Sequence, residues 1–245
     1  TVGSNHFVDR CHAVRDYLSW HAKAALQRIR VGDPRLKEAR LALDRFAKMM
    51  NEDLPSGRTG ERDPVGEDVL QRMLAAAVPG SPDNPFQPQH QHRNYALLLL
   101  YYDTGMRRAE GLGLKGEDLV LHGESPSVTV VRRPDDPDDT RGREALVKTL
   151  GRPIPITKDL AQALTVWVTR HRNDPVRYPG AKRTPYVFVS RTGKPLGLRT
   201  VNDMYELLRA RIEGLPASLT THAKRHAATV RFNKESRKLG WTDGE

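Results

Sequence analysis

LTTHAKRHAAT, residues 219–229, places two histidines and two cations within one short stretch of the chain. In a helix, His222 and Arg225 are three residues apart and share a face, so both can reach one phosphate group. Taken alone, the stretch is equally typical of a solvated basic helix start that is capped by Thr220 or Thr221. The rest of the chain has to decide between these two interpretations.

The composition points to a polyanionic partner. The 245 residues include 40 Lys and Arg against 30 Asp and Glu, a net charge of +10. Such a balance favours nucleic acid as the ligand. The longest apolar run, residues 95–102, is too short to span a bilayer, and the first residues lack a signal-peptide core. With Cys11 as its single cysteine, which suits a reducing compartment, we expect a soluble intracellular protein.

The apolar spacing predicts two helices at the start, residues 5–29 and 34–50, followed by a polar, Pro- and Gly-containing linker. Two helices are half of a bundle and are not expected to form a complete domain. The predicted organisation is a partial helical domain at residues 1–55, a linker at 56–63 and a second domain at 64–245.

The second domain combines helices with short strands. A helix over residues 95–103 is apolar on every side and is expected in the core. The remaining predicted helices are residues 64–77, 157–171 and 201–212, and the predicted strands are residues 127–132, 145–148, 154–156 and 187–189. The predicted fold class is mainly α with a small antiparallel β-sheet (α+β).

The segment TGMRRAEGLGL, residues 104–114, follows the predicted core helix. Arg107, Arg108 and Glu110 therefore come directly after a glycine turn, where core packing can hold a guanidinium for bidentate phosphate binding. A simpler interpretation is that Glu110 and one arginine form an ion pair at a helix end.

Further cations lie downstream. Lys148 is expected in the tight connection between two strands, where it is either a movable cation directed at a ligand or an ordinary hairpin lysine. Between Arg170 and Arg199 the chain has eight Lys or Arg and one acidic residue, Asp174. Such a segment is typical of a surface for nucleic-acid backbones.

Two histidine pairs raise the question of a metal. His90 and His92 lack a nearby acidic or cysteine companion, and the glutamate expected after the first histidine of a zinc helix is replaced by Ala223 between His222 and His226. We expect no metal at either pair, with a zinc hydrolase as the weaker alternative.

Four segments, in this order, resemble the tyrosine recombinases, also called phage integrases, over about residues 64–241. Residues 104–110, followed by Leu114 and Asp118, resemble the first arginine box, and Lys148-Thr149 ahead of residues 152–156 resembles the catalytic lysine of the family's β-hairpin. Residues 186–195 resemble the segment before the last box, and residues 221–229 resemble the His-x-x-Arg box itself. The N-terminal helices resemble the end of the family's core-binding domain, with its earlier helices missing.

The resemblance implies a site-specific DNA recombinase of the integrase or transposase type. A tyrosine hydroxyl attacks a DNA phosphodiester and forms a 3′-phosphotyrosine, without metal or nucleotide cofactor. Arg107 and Arg225 would hold the nonbridging oxygens. Lys148 would protonate the 5′-oxygen, and His222 would assist proton transfer at the nucleophile.

The remaining site residues implied by the resemblance surround this centre. Glu110 is expected to brace the arginine. Trp241 resembles a position that contacts the phosphate, although it follows Arg225 more closely than is usual in the family. The expected DNA contacts are Arg108, Arg152, Arg191, Lys194 and Lys224.

The nucleophile is the main departure from the family pattern, because all seven tyrosines precede His222. We expect a truncated recombinase that lacks its tyrosine. The alternatives are a cleavage-dead DNA-binding regulator or decoy, and a tyrosine supplied in trans. The implied partner is double-stranded DNA at a specific recombination site, bound by a tetramer in the bacterial cytoplasm at the nucleoid.

Overall fold

The computed structural model describes residues 4–30, 32–52, 65–141, 151–220 and 228–229. The chain divides into two compact units, Thr1–Glu61 and Arg62–Glu245. Helices dominate both units, and a small antiparallel sheet lies in the second. The predicted fold class, mainly α with a small antiparallel β-sheet, is confirmed.

The first unit contains helices α1 (Ser4–Leu26) and α2 (Pro34–Glu52), which pack against each other. Asp33 caps α2, because its side chain accepts a hydrogen bond from the Arg35 backbone N–H at 2.9 Å. Helix α2 extends through Glu52, slightly past the predicted end, and the predicted linker lies largely outside the described residues. None of the helices in the described ranges combines the length and the apolar composition needed to cross a bilayer.

The core of the second unit surrounds helix α4 (Gln91–Thr104), which packs against α3 (Glu67–Ala77) and α6 (Lys158–Val166). The side chains from Ala96 to Tyr101 are all buried. Burial of each large apolar side chain stabilises the fold by about 1.5–3 kcal/mol. The predicted core helix is confirmed, although it begins at Gln91, four residues earlier than expected.

Helix α4 leads directly into the short helix α5 (Arg108–Leu112). Gly105 ends α4 with φ 60°, a left-handed conformation that favours glycine, and donates its N–H to the Tyr101 carbonyl at 3.2 Å. The Tyr101 hydroxyl donates to the Arg108 carbonyl at 2.9 Å. A Cβ at Gly111 would lie 2.7 Å from the Tyr101 ring, so glycine permits this close contact. Helix α5 is thereby fixed to the core helix.

The sheet has three antiparallel strands in the order β1 (Leu119–Val120), β2 (Ser127–Val130) and β3 (Arg152–Pro155). The predicted strands at 127–132 and 154–156 are confirmed, and β1 is an addition. Strand β3 begins two residues earlier than expected. Arg152 therefore lies in a strand, opposite Val130, and not in the connection before it. The predicted strand at residues 145–148 lies outside the described residues.

The predicted strand at residues 187–189 is wrong. This segment is buried but pairs only through the isolated bridges Lys115↔Tyr186 and Val189↔Pro195. Two of its carbonyls accept hydrogen bonds from side chains: Val187 accepts from Trp167 Nε1–H at 3.0 Å, and Val189 accepts from Arg93 Nη1 at 3.0 Å. Arg172 also donates to the carbonyl of the preceding residue, Tyr186, at 2.6 Å. Trp167 begins a π-helical turn after α6, Trp167–His171, and the last described helix of any length is α7 (Leu198–Arg211).

Candidate functional site

Arg107 lies at the junction of α4 and α5, where a buried carboxylate holds it. Its backbone N–H donates to Glu110 Oε2 at 2.7 Å, and its Nη1 donates to Oε1 at 3.3 Å. The Glu110 side chain is fully buried, whereas 43% of the Arg107 side chain is exposed. An acid three residues into a helix start is favourably placed for the helix dipole and the free N–H groups. The guanidinium is thus anchored on one side and open to solvent on the other.

Arg152 reaches the same carboxylate from strand β3. Its Nη1 and Nη2 donate to Glu110 Oε1 and Oε2, each at 3.3 Å, and 38% of its side chain is exposed. Two half-exposed guanidinium groups from separate elements therefore meet on one buried acid. All three residues are among the site residues predicted from the sequence. The prediction for Arg152 is a contact with DNA, and its pairing with Glu110 is not predicted.

A basic cavity of about 560 Å³ includes Arg108, the residue after Arg107. Arg108 Nη1 donates a hydrogen bond to Oδ1 of Asn202, another lining residue, at 2.6 Å. None of the described lining residues is Asp or Glu. The lining residues are Arg108, Thr140, Arg141, Ser190, Lys194, Pro195, Gly197, Leu198, Arg199 and Asn202. A cleft with one sign of charge concentrates the electrostatic field and attracts anions.

Arg141 is the cation of this cavity that is held by the most hydrogen bonds, and it is not among the site residues predicted from the sequence. Its side chain is 6% exposed and pairs with Asp139 through two 2.7 Å hydrogen bonds. Its Nη1 also donates to the carbonyls of Leu112 at 3.0 Å and Leu196 at 3.3 Å. The end of α5 and the cavity wall are therefore joined by one buried guanidinium. The surrounding charged loop offered no local signal that distinguished this arginine.

The acidic loop before Arg141 is neutralised by buried partners. Lys115 Nζ lies 3.0 Å from Asp136 and 2.7 Å from Asp138, and the Tyr186 hydroxyl donates to Asp136 at 2.8 Å. Burial alone would lower the pKa of Lys115, but its bonds to Asp138 and Asp136 raise the pKa above the ordinary value. Lys115 therefore stays charged, and these carboxylates are already paired when a polyanion approaches.

The histidines at the start of α4 are packing residues. His90 Nδ1 lies 3.0 Å from the Tyr178 hydroxyl, and the His92 ring stacks on His171 with centroids 3.8 Å apart. Burial, followed by the charges of Arg93 and Arg191, lowers the pKa of His90 to about 4. Arg191 thus lies near His90 and does not line the basic cavity. Within the described ranges, no group of three or more His, Cys, Asp or Glu is arranged to hold a metal ion.

Five predicted site residues lie outside the described residues: Lys148, His222, Lys224, Arg225 and Trp241. Leu219, two residues before the His-x-x-Arg box at 221–229, is described by the structure and is fully buried. Its carbonyl accepts a hydrogen bond from Arg209 Nη1 of α7 at 2.7 Å. Leu219 is therefore anchored to α7.

Comparison with known sequences extends over most of the second unit. Residues 65–239 match the sequence model of the phage integrase family. The chain is 28% identical over 190 residues to the tyrosine recombinase XerC of Pseudomonas savastanoi pv. phaseolicola, covering 74% of this chain and 53% of that protein. It is 29% identical over 141 residues to XerD of Mycobacterium leprae, covering 55% of this chain and 38% of that protein. The chain thus spans about half or less of these relatives.

Solved structures share the fold. The Tn1549 transposon integrase in complex with transposon right end DNA gives a TM-score of 0.53 at 17% identity, covering 90% of this chain and 72% of that one. The XerH site-specific recombinase bound to its difH substrate gives a TM-score of 0.52 at 16% identity, covering 71% and 43%.

Proposed function

The chain belongs to the phage integrase family, and from this membership we propose that it is the catalytic part of a site-specific DNA recombinase. It cuts and rejoins double-stranded DNA through a 3′-phosphotyrosine intermediate. The observation that carries this proposal is Arg107, whose guanidinium is held on the buried Glu110 while 43% of its side chain stays exposed. The next residue, Arg108, lines the basic cavity. A fixed, partly exposed guanidinium is suited to a phosphate that gains charge in the transition state.

In the proposed reaction the nucleophile is the hydroxyl oxygen of a tyrosine, and residues 222–245 do not contain one. This oxygen attacks phosphorus, and the bond from phosphorus to the 5′-oxygen breaks. Arg107 and Arg225 hold the nonbridging oxygens, and Trp241 contacts the same phosphate. Lys148 gives a proton to the departing 5′-oxygen, and His222 assists removal of the tyrosine proton. Each step exchanges one phosphoester for another, so the bond energy is retained for rejoining.

The basic cavity supports the proposed DNA interface. Arg108 and Lys194 line it and would contact backbone phosphates, as would Arg191 and Lys224. The first unit would act as a partial core-binding domain that also contacts the duplex. We further propose a tetramer on paired sites at the bacterial nucleoid.

A covalent-adduct assay tests the proposal. A form of the protein that carries a tyrosine after Trp241 is incubated with a nicked duplex, whose sequence is first selected for binding from a random pool. The expected result is a DNA-bound protein band on a denaturing gel. Arg107→Ala should lower the rate of adduct formation about 10²–10³-fold and change DNA affinity far less.

The same assay separates the two candidate functions. Tight DNA binding without any adduct, in the tyrosine-bearing form, would reject the enzyme and favour the DNA-binding regulator. Equal losses of binding and cleavage in Arg107→Ala would contradict a transition-state role for this arginine.

A further inference from the structure

The carboxylate of Glu110 is shared unequally by its two arginines. Arg152 meets it with two parallel N–H···O contacts, Nη1 to Oε1 and Nη2 to Oε2, both at 3.3 Å. Arg107 makes one guanidinium contact, also at 3.3 Å, in addition to its backbone N–H bond. A fork of two contacts fixes the plane of a carboxylate, whereas a single contact does not. The orientation of Glu110 is therefore set by Arg152 together with the start of α5.

Charge gives a second reason for this arrangement. A buried carboxylate that faced Arg107 alone would offset its positive charge, which is the property that phosphate binding needs. With Arg152 included, the formal charges of the three side chains sum to one positive charge (two cations and one anion). Removal of one partner from a buried ion pair is also costly to stability. Arg152 thus allows Glu110 to hold Arg107 without cancelling its field.

The sheet fixes the position of Arg152 next to Glu110. Arg152 pairs with Val130 in the register of β2 and β3, and Val130 is fully buried. A side chain on a strand with a fixed register is held more accurately than one on a loop. The contact therefore joins the sheet to α5, at the residue that holds Arg107.

We propose that Arg152 is a positioning residue that acts on Arg107 through Glu110. It holds the carboxylate so that Arg107 keeps both its orientation and its positive field toward a DNA phosphate. The inference rests on the proposed function, because it takes the ligand of Arg107 to be that phosphate. The competing role is direct contact between Arg152 and DNA, independent of Glu110.

A double-mutant cycle separates the two roles with the chain as printed, since it requires DNA binding and not cleavage. Affinity for a labelled duplex is measured for the wild type, Arg152→Met, Glu110→Gln and the double variant, at a temperature where circular dichroism shows each to be folded. We expect Arg152→Met to weaken binding about 3–10-fold in the wild-type background and less than twofold beside Glu110→Gln. The same fold-loss in both backgrounds would overturn the positioning role.

Arg152→Lys provides a matched control that keeps the charge but removes the fork. A positioning role predicts a measurable loss for Arg152→Lys, smaller than that of Arg152→Met because the charge is kept, and wild-type affinity for Arg152→Lys would overturn it. This comparison also stands if Glu110→Gln does not fold. Arg107→Met is measured in parallel. A loss of affinity there with an additive cycle rejects only the positioning role, and wild-type affinity there also rejects it, because Arg152 could then not act on binding through Arg107. The proposed function itself is rejected by the absence of a covalent adduct in the tyrosine-bearing form.

Discussion

The basic cavity makes a quantitative prediction for the salt dependence of DNA binding. Arg108 and Lys194 line it and are removed together as Arg108→Met and Lys194→Met. Each phosphate contact contributes about 0.9 to the slope of log affinity against log salt concentration. Loss of two contacts should make the slope shallower by about 1.8. Between 50 and 200 mM NaCl, the fold-loss of affinity should then be about twelvefold smaller than for the wild type.

Fluorescence anisotropy of a labelled duplex at several NaCl concentrations measures this slope. The matched control is Lys158→Met with Arg211→Met, which removes the same charge from exposed positions outside the cavity lining. Net charge alone would give both variants the same slope, whereas local phosphate contacts change only the cavity variant. Equal slopes for the cavity variant and the wild type, or an equal change in the control, would refute the assignment of the cavity to DNA.

Three further predictions concern stability. Arg172→Met should lower the free energy of unfolding by about 2–4 kcal/mol in urea, because the buried carbonyl of Tyr186 and the half-buried carbonyl of Thr184 lose their guanidinium donor; a change below about 0.5 kcal/mol would contradict this. His90 has a folded pKa of about 4, so between its unfolded pKa near 6.5 and pH 4 the unfolded state binds more protons. Stability should therefore fall by about 1–2 kcal/mol as the pH drops through that window, after allowance for solvent screening, and His90→Gln should remove this part of the slope; an unchanged slope would reject the assignment. Gly105→Ala should lower stability by about 1–2 kcal/mol in thermal melts, because φ is 60° there, and an unchanged melting temperature would count against strain.

The parts of the fold that could be predicted carry a local pattern. Helix α4 is apolar on all sides from Ala96 to Leu100, and strand β2 alternates half-buried and buried residues along Ser127–Val130. The segment at 187–189 has the same composition as a strand, yet Trp167 and Arg172 take the carbonyls that a partner strand would need. Trp167 lies 20 positions from Val187 and Arg172 lies 14 positions from Tyr186, so no local pattern reveals these donors.

The candidate site divides in the same way. Arg107 and Glu110 are three residues apart, and helical spacing was enough to predict their contact. Arg152 lies 42 positions from Glu110, and Arg108 lies 94 positions from Asn202, so these contacts depend on the tertiary fold. Sequence could therefore name Arg107, Arg108, Glu110 and Arg152, but neither Arg141 nor the long-range contacts that orient these side chains.

The close fit of the Tyr101 ring over Gly111, with its hydroxyl on the Arg108 carbonyl, has a consequence for encounter kinetics. Because the core already immobilises this short helix, no slow rearrangement of it has to precede capture of a ligand at its first turn. We therefore expect the backbone of Arg108 to keep the same geometry when a ligand binds. The share of this arginine in the association rate is then governed by diffusion and electrostatic steering.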